Sequence, residues 1–116
     1  MSREMAKIVY QALDEKKGED IRILEIGHIS IMADYFIIAN GGSQPQINAL
    51  MENVQEKMNQ AGYQVKRIEG NRNSSWVLLD YGDVVVHVFN REDRLFYDLE
   101  RIWSDGKVVS PEALNS

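Results

Sequence analysis

The sequence predicts a single mixed α/β domain (α+β mixed), in which helices pack on a five-stranded mixed sheet. Its 116 residues suit one domain that buries its own core. Helical and strand periodicities follow one another in the order α-β-β-α-β-β-β-α, without an internal repeat, a linker or a low-complexity segment. We expect the domain to span residues 1–103. Residues 104–116 have turn residues and little periodicity, which predicts a loosely ordered tail.

The first helix and the first two strands follow from the spacing of apolar residues. Five apolar residues from Met5 to Leu13 recur at the spacing of one helix face, which predicts a helix over about residues 3–17 that ends at Gly18. The short β-branched run 21–26 predicts the first strand. The run ADYFIIAN, residues 33–40, predicts a second strand that ends at two glycines.

The second helix has the clearest start signal in the chain. Ser43-Gln44-Pro45-Gln46 has the form of a capping box, with proline in the first turn. The apolar stripe that follows consists of Ile47, Leu50, Met51, Val54, Met58 and Ala61. Gly62 ends the helix. The sequence NGGS places backbone amides at this helix N-terminus, but a tight turn with a cap explains two adjacent glycines better than a phosphate site does.

Three further strands and a last helix complete the predicted fold. YQVKRIEG, residues 63–70, alternates and predicts a more exposed third strand. WVLLDY (76–81) and VVVHVF (84–89) predict strands four and five, and both are apolar on both faces, as is typical of the centre of a covered sheet. Asn90 is a candidate cap for a final helix over residues 91–103.

Composition and charge narrow the classes of function. The net charge is −5, with 13 Lys and Arg against 18 Asp and Glu, so direct DNA binding is not expected and RNA contact is at most incidental. An acidic protein is better suited to a basic partner. The absence of cysteine excludes disulfides and thiolate metal sites and suits a reducing cytoplasm. The apolar runs are too short to span a membrane.

The stretch WVLLDYGDVVVHVF, residues 76–89, offers a catalytic hypothesis. With the NGGS turn it resembles the nucleotidyltransferase fold, whose two metal-binding carboxylates usually stand two residues apart and so point the same way. Asp80 and Asp83 are three apart, and Gly82 between them indicates a turn in which aspartates act as turn formers. His87 shares a strand face with apolar neighbours, which favours a hydrogen-bonded core or interface residue over a catalyst. We therefore predict no catalytic residue, metal or cofactor, and keep a nucleotide-binding enzyme as the alternative.

A binding hypothesis explains the same stretch through its aromatic residues. Trp76 and Tyr81 stand near the two ends of the fourth strand with acids nearby, as in a hot spot for a basic partner. The alternative is purely structural: Trp76 packs on a helix and Tyr81 covers the sheet edge. The residues alone leave both open.

Four motifs together resemble one known family. ADYFIIANGGS, RIEG, WVLLDYGDVVVHVF and YDLERIW are similar to successive motifs of the ribosomal silencing factor family, also called Iojap-like or RsfS, over roughly residues 6–103. The resemblance implies a nucleotidyltransferase-like fold without the catalytic carboxylates. It also implies a translation repressor that binds the fourteenth protein of the large ribosomal subunit and blocks joining of the subunits when nutrients are short. An assembly factor for that subunit would use the same surface, so it stays an alternative.

The resemblance also implies a contact surface. The positions carried over are Trp76, Leu78, Asp80, Tyr81, Gly82 and Asp83, with His87 as a weaker candidate. Members of the family also form homodimers, so the resemblance allows self-association of this chain. One motif departs from the family: many members have GTSS followed by a basic residue and histidine, whereas this chain has GGSQPQ. It lacks the charge on which an anion or RNA contact there would depend, while the capping role is retained.

Overall fold

A computed structural model describes residues 2–27, 33–93, 107–110 and 112 of the chain, and its fold is the predicted mixed α/β class. The elements are α1 (Ser2–Glu15), β1 (Glu19–Glu25), β2 (Tyr35–Gly41), α2 (Gln44–Gln60), β3 (Arg67–Glu69), β4 (Trp76–Asp80), β5 (Val84–Asn90) and β6 (Lys107–Val109). Residues 91–93 are helical, and the remainder of the helix predicted over 91–103 lies outside the described residues. Asn90 Oδ1 accepts a hydrogen bond from the Asp93 N–H at 2.7 Å, as expected of a cap.

The sheet has six strands, not the predicted five, in the order β3-β4-β5-β2-β1-β6. The additional strand, β6, pairs antiparallel with β1 from within the segment 104–116, where no strand was predicted. Three residues are too few to show a period of two, so only the pairing reveals this strand. At the centre, β2 and β5 are parallel, and the other neighbouring strands are antiparallel.

The two faces of the sheet have different surroundings because side chains alternate along each strand. Both helices pack on one face, where β5 contributes Val84, Val86 and Val88 to the larger core. The other face holds a smaller apolar cluster that includes Phe89 and Ile38. The prediction that the fourth and fifth strands are apolar on both faces is confirmed. Among the residues that the structure describes, no helix is long and apolar enough to cross a bilayer.

β3 is shorter than the strand expected over residues 63–70. Tyr63 donates its N–H to the Met58 carbonyl at 2.9 Å, so the chain is still completing the turn after α2 at that point. Gly70, at the other end, has a φ of 98°, which an extended strand of L-residues does not adopt. The alternating pattern therefore extends further along the chain than the strand does.

The predicted capping box opens α2, with one difference. Ser43 Oγ accepts a hydrogen bond from the Gln46 N–H at 3.3 Å. The Gln46 side-chain oxygen accepts the N–H of Gly42 at 2.6 Å, not that of Ser43 itself. The Gln46 side-chain nitrogen also donates to the Lys17 carbonyl at 2.8 Å, so the cap ties α2 to the loop that follows α1.

A buried polar contact joins the two helices. Asn53 of α2 is 5% exposed, and its side-chain N–H donates to the Ala12 carbonyl of α1 at 2.7 Å. Ala12 lies in the last turn of α1, whose carbonyls have no partner further along the helix. Asn53 thus satisfies an acceptor that the helix itself leaves open, within an otherwise apolar interface.

Asn53→Leu should lower the free energy of unfolding by about 1–3 kcal/mol, because it removes the donor to a buried carbonyl. Urea unfolding followed by circular dichroism measures the change. Asn59→Leu is the matched control, since Asn59 is exposed on the same helix and its replacement should change stability by less than about 0.5 kcal/mol. Equal losses in the two variants would show that the bond to Ala12 does not stabilise the protein.

Candidate functional site

The DYGD sequence between β4 and β5 is a tight turn. The Tyr81 N–H donates to the Val84 carbonyl at 2.9 Å, and the Gly82 N–H donates to the Asp80 carboxylate at 2.8 Å. Gly82 has a φ of 88°, and a Cβ there would lie 2.7 Å from Lys66 Nζ. The Asp80 carboxylate is thus a turn former, as the spacing of the two aspartates indicated.

Asp83 contributes to the fold through its backbone. Its carbonyl accepts the N–H groups of Asp34 and Tyr35, at 2.8 and 3.1 Å, and so fixes the start of β5 against the start of β2. Its side chain is exposed. Within the described parts of the chain, no group of three or more His, Cys, Asp or Glu side chains is arranged to hold a metal ion.

Polar groups in and beside the NGGS turn have hydrogen-bond partners within the protein. The Gly42 N–H is already bonded to Gln46, as described above. Beside Gly42, the Arg91 guanidinium forms a bidentate pair with Glu19, with Nε–Oε1 at 2.7 Å and Nη2–Oε2 at 2.5 Å. The hydrogen bond between them lowers the pKa of Glu19 and raises the pKa of Arg91. An amide and a cation that a phosphate would need are therefore both paired within the protein.

A strip of side chains on β4 points away from the helices. Because Val77 and Leu79 enter the helix-side core, the alternate residues of the strand lie on the opposite face. These are Trp76, Leu78 and Asp80, which pair across the sheet with Phe89, His87 and Val85 of β5, respectively. Trp76 and Leu78 are half-buried.

The neighbouring strand β3 extends this strip to the sheet edge. The antiparallel register places Glu69 opposite Leu78 and Arg67 opposite Asp80. Both β3 side chains are exposed, and Arg67 Nε lies 3.8 Å from Glu69 Oε1. We call the surface formed by Arg67, Glu69, Trp76, Leu78 and Asp80 the β3–β4 face.

A shallow pocket opens on the β3–β4 face. Its volume is about 190 Å³, and it is lined by Glu69, Gly70, Trp76 and Leu78. Gly70 approaches β4 so closely that a Cβ would lie 2.8 Å from the Trp76 carbonyl oxygen. A side chain at position 70 would therefore move the backbone that carries the indole. Its lining combines the apolar side chains of Trp76 and Leu78 with the charged side chain of Glu69.

His87 lies beneath the β3–β4 face and is 4% exposed. Trp76 Nε1 donates to His87 Nδ1 at 3.1 Å, and the imidazole packs against Phe36 with ring centroids 5.1 Å apart. His87 Nε2 is buried without a hydrogen-bond partner among the residues that the structure describes. Burial lowers the pKa of His87 to about 4, so the ring is neutral at pH 7.

The structure separates the residues carried over from the family resemblance. Trp76, Leu78 and Asp80 share the β3–β4 face, and Gly82 and Asp83 form the turn that follows β4. His87 is a core residue, behind this surface.

Tyr81 requires a correction. It is 4% exposed and lies in the helix-side core, and burial raises its pKa to about 12. A side chain so deeply buried cannot act as an anchor on the surface, so Tyr81 is not carried further as a contact residue.

The sequence did not identify Arg67 and Glu69, because only the register of β3 against β4 shows that they join the strip. The alternation in YQVKRIEG was the one signal that pointed to them.

Comparisons with known proteins match this chain to one family over nearly its whole length. The family model described as "Ribosomal silencing factor during starvation" matches residues 1–116. A Bacillus subtilis (strain 168) protein named Ribosomal silencing factor RsfS is 43% identical over 107 residues, which cover 92% of this chain and 91% of that protein. A Halalkalibacterium halodurans protein of the same name is 37% identical over 115 residues, covering 99% and 98% of the two chains. A crystal structure of a Chromobacterium violaceum protein has a TM-score of 0.86 and 38% identity, covering 95% of this chain and 91% of that one.

The burial of His87 predicts a pH-dependent stability. The imidazole titrates at about 4 when folded and at 6.5 in its unperturbed state, so between these values the unfolded chain binds the extra proton. The free energy of unfolding should therefore rise with pH by on the order of 3 kcal/mol over the whole window, and about 2 kcal/mol of this rise should fall between pH 5 and pH 7. Urea unfolding of the wild type and of His87→Gln at pH 5 and pH 7 measures the difference, because the carboxylates titrate alike in both. Parallel pH profiles would show that His87 is not buried as a neutral ring.

Proposed function

Because this chain belongs to the ribosomal silencing factor family, we propose that it represses translation by docking on the large ribosomal subunit through the β3–β4 face. In this proposal the partner is the fourteenth protein of that subunit, on the side that meets the small subunit. Repression operates when nutrients are limiting, the condition that the family description names.

The observation that carries this proposal is the arrangement of Trp76 and Leu78. They stand two residues apart on β4, so both apolar side chains point to the same side of the sheet. The opposite face of this strand is buried in the core, which holds its backbone in place. Tryptophan in a pocket is a frequent energetic anchor of protein interfaces. Arg67 and Glu69 on β3 and Asp80 at the end of β4 place charge on one side of the pair, which suits the rim of an interface.

Electrostatics support a basic partner. The net charge of −5 favours encounter with a positively charged surface, such as a protein that itself binds ribosomal RNA. The same charge disfavours direct binding to DNA, and contact with RNA is incidental in this proposal. We expect the protein to act in the cytoplasm, where the ribosomes that it binds are found.

The mechanism requires no chemistry from the chain. A body with extents of 33 × 32 × 26 Å, placed on the surface where the subunits meet, occupies space that the small subunit needs. Repression then depends on affinity and on lifetime in the bound state. An assembly factor would use the same surface on a maturing subunit, and it differs only in which particle is bound.

The alternative from another class is a nucleotide-binding enzyme that uses the NGGS turn with Asp80 and Asp83. The pairing of Gly42 with Gln46 and of Arg91 with Glu19 argues against it, as does the use of the Asp80 carboxylate in the turn. Isothermal titration with Mg²⁺ and nucleoside triphosphates should therefore show no binding heat. Saturable binding that is lost in Asp80→Asn would instead favour the enzyme.

Trp76→Ala should weaken binding to isolated large subunits by roughly 1–4 kcal/mol, because it removes the anchor of the β3–β4 face. Leu78→Ala should act in the same direction. Gln60→Ala is the control, since Gln60 is exposed on α2, on the helix side of the sheet, and its replacement should leave binding unchanged.

Sedimentation of purified subunits then tests the mechanism itself. Saturating wild-type protein should reduce formation of joined ribosomes, and Trp76→Ala should restore it, with circular dichroism confirming that the variant is folded. Unimpaired joining at saturation would show that the protein does not act by blocking the subunits. A variant that binds as tightly as wild type would remove Trp76 from the contact surface.

A further inference from the structure

We infer that His87 is a positioning residue for docking: its Nδ1 atom holds the Trp76 indole in the orientation in which the β3–β4 face presents it to the partner. The inference rests on the proposed docking function and adds a role for a residue that does not touch the partner. It also explains why an imidazole occupies a position on β5 where the surroundings are aromatic and apolar.

The strand register brings the two side chains together. Trp76 pairs directly with Phe89, so His87, two residues earlier on β5, is its diagonal neighbour on the same face. Diagonal pairs are within reach of aromatic side chains. The indole spans this distance and places Nε1 3.1 Å from His87 Nδ1, within the range of a hydrogen bond.

The direction of this bond defines the state of the ring. An indole N–H is only a donor, so His87 Nδ1 must accept and the proton of the neutral ring resides on Nε2. Burial keeps the ring neutral at physiological pH, so the acceptor is present throughout the range in which the protein works. Protonation would turn Nδ1 into a donor and break the contact.

His87 is not the best choice for stability alone. Its Nε2 atom is buried without a partner among the described residues, and a buried polar group in that condition is unfavourable. A leucine would fill a similar space without an unpaired polar atom. What the imidazole provides, and leucine cannot, is an acceptor for the Trp76 N–H.

The surrounding rings complete the support for the indole. Phe89 lies 4.9 Å from Trp76 between ring centroids and restricts the plane of the indole. The bond to Nδ1 directs the N–H edge of the indole toward β5. A side chain held in its bound orientation before contact loses less conformational freedom on docking, which increases affinity.

Two substitutions separate this role from simple packing. His87→Leu approximately keeps the volume and removes the acceptor. His87→Asn places an amide oxygen near the Nδ1 position and removes much of the ring. A residue that matters only for packing should tolerate Leu better than Asn in every measurement. A positioning residue should tolerate Leu better in unfolding, but Asn better in docking.

The experiment uses three measurements on the full chain. Urea unfolding should show His87→Leu to be at least as stable as His87→Asn. Hydrogen exchange of the Trp76 indole N–H, a signal identified by its loss in Trp76→Phe, should be faster in His87→Leu than in wild type by about fivefold or more, and close to wild type in His87→Asn. Binding to isolated large subunits should weaken about fivefold in His87→Leu and less in His87→Asn.

Each adverse result has a separate meaning. If the wild type does not bind large subunits, the proposed function is wrong, and the positioning role falls with it. If the wild type binds and His87→Leu binds equally well, only the positioning role is wrong. Unchanged indole exchange in His87→Leu also overturns the inference, and because it is measured on the free protein it does not depend on the ribosome.

Discussion

The parallel pairing of β2 with β5 is the constraint on which the remainder of the structure depends. Seven consecutive residue pairs, from Tyr35 with Val84 to Gly41 with Asn90, join two strands that are distant in sequence. β4 is placed by its hairpin to β5, and β1 by its antiparallel pairing with β2. The Asp83 carbonyl reinforces the start of this pair by accepting two N–H groups from the start of β2.

A rigid surface follows from this buried centre. Because β4 alternates, the same five residues supply Val77 and Leu79 to the core and Trp76 and Leu78 to the outer strip. The apolar side chains proposed for docking are therefore mounted on backbone that cannot move without disturbing the core. Such a support suits a protein whose proposed action is to hold a position on a much larger particle.

The same geometry shows that aspartates and glycines typical of catalytic motifs have structural roles here. Two aspartates around a glycine resemble metal ligands in sequence, but the Asp80 carboxylate accepts the Gly82 N–H within the turn, and the Asp83 carbonyl accepts two N–H groups at the start of β2. The glycines before α2 likewise serve a cap and lie against an ion pair. Residue types that resemble a catalytic motif can thus serve the fold itself, because function resides in sites and not in the fold.

Local patterns in the sequence were sufficient to recognise α1, α2 and the strands β1 to β5, and to recognise the family. The helical spacing from Met5 to Leu13, the capping box at Ser43 and the apolar runs of β4 and β5 depend on neighbours a few residues away, so they can be recognised without a structure. Long motifs such as WVLLDYGDVVVHVF identify the family for the same reason. The three-residue spacing of Asp80 and Asp83 likewise indicated a turn.

Only the tertiary structure decided which side chains share a surface. β6 is recognised by its pairing with β1, and Arg67 and Glu69 join Trp76 only through the register of β3. Tyr81 is an aromatic residue next to acidic residues, as a contact residue often is, but its side chain lies in the helix-side core. His87 accepts the hydrogen bond of the Trp76 indole N–H. The physical reason is that register and burial are set by strands far apart in the chain, and a local pattern carries no information about the partner across the sheet.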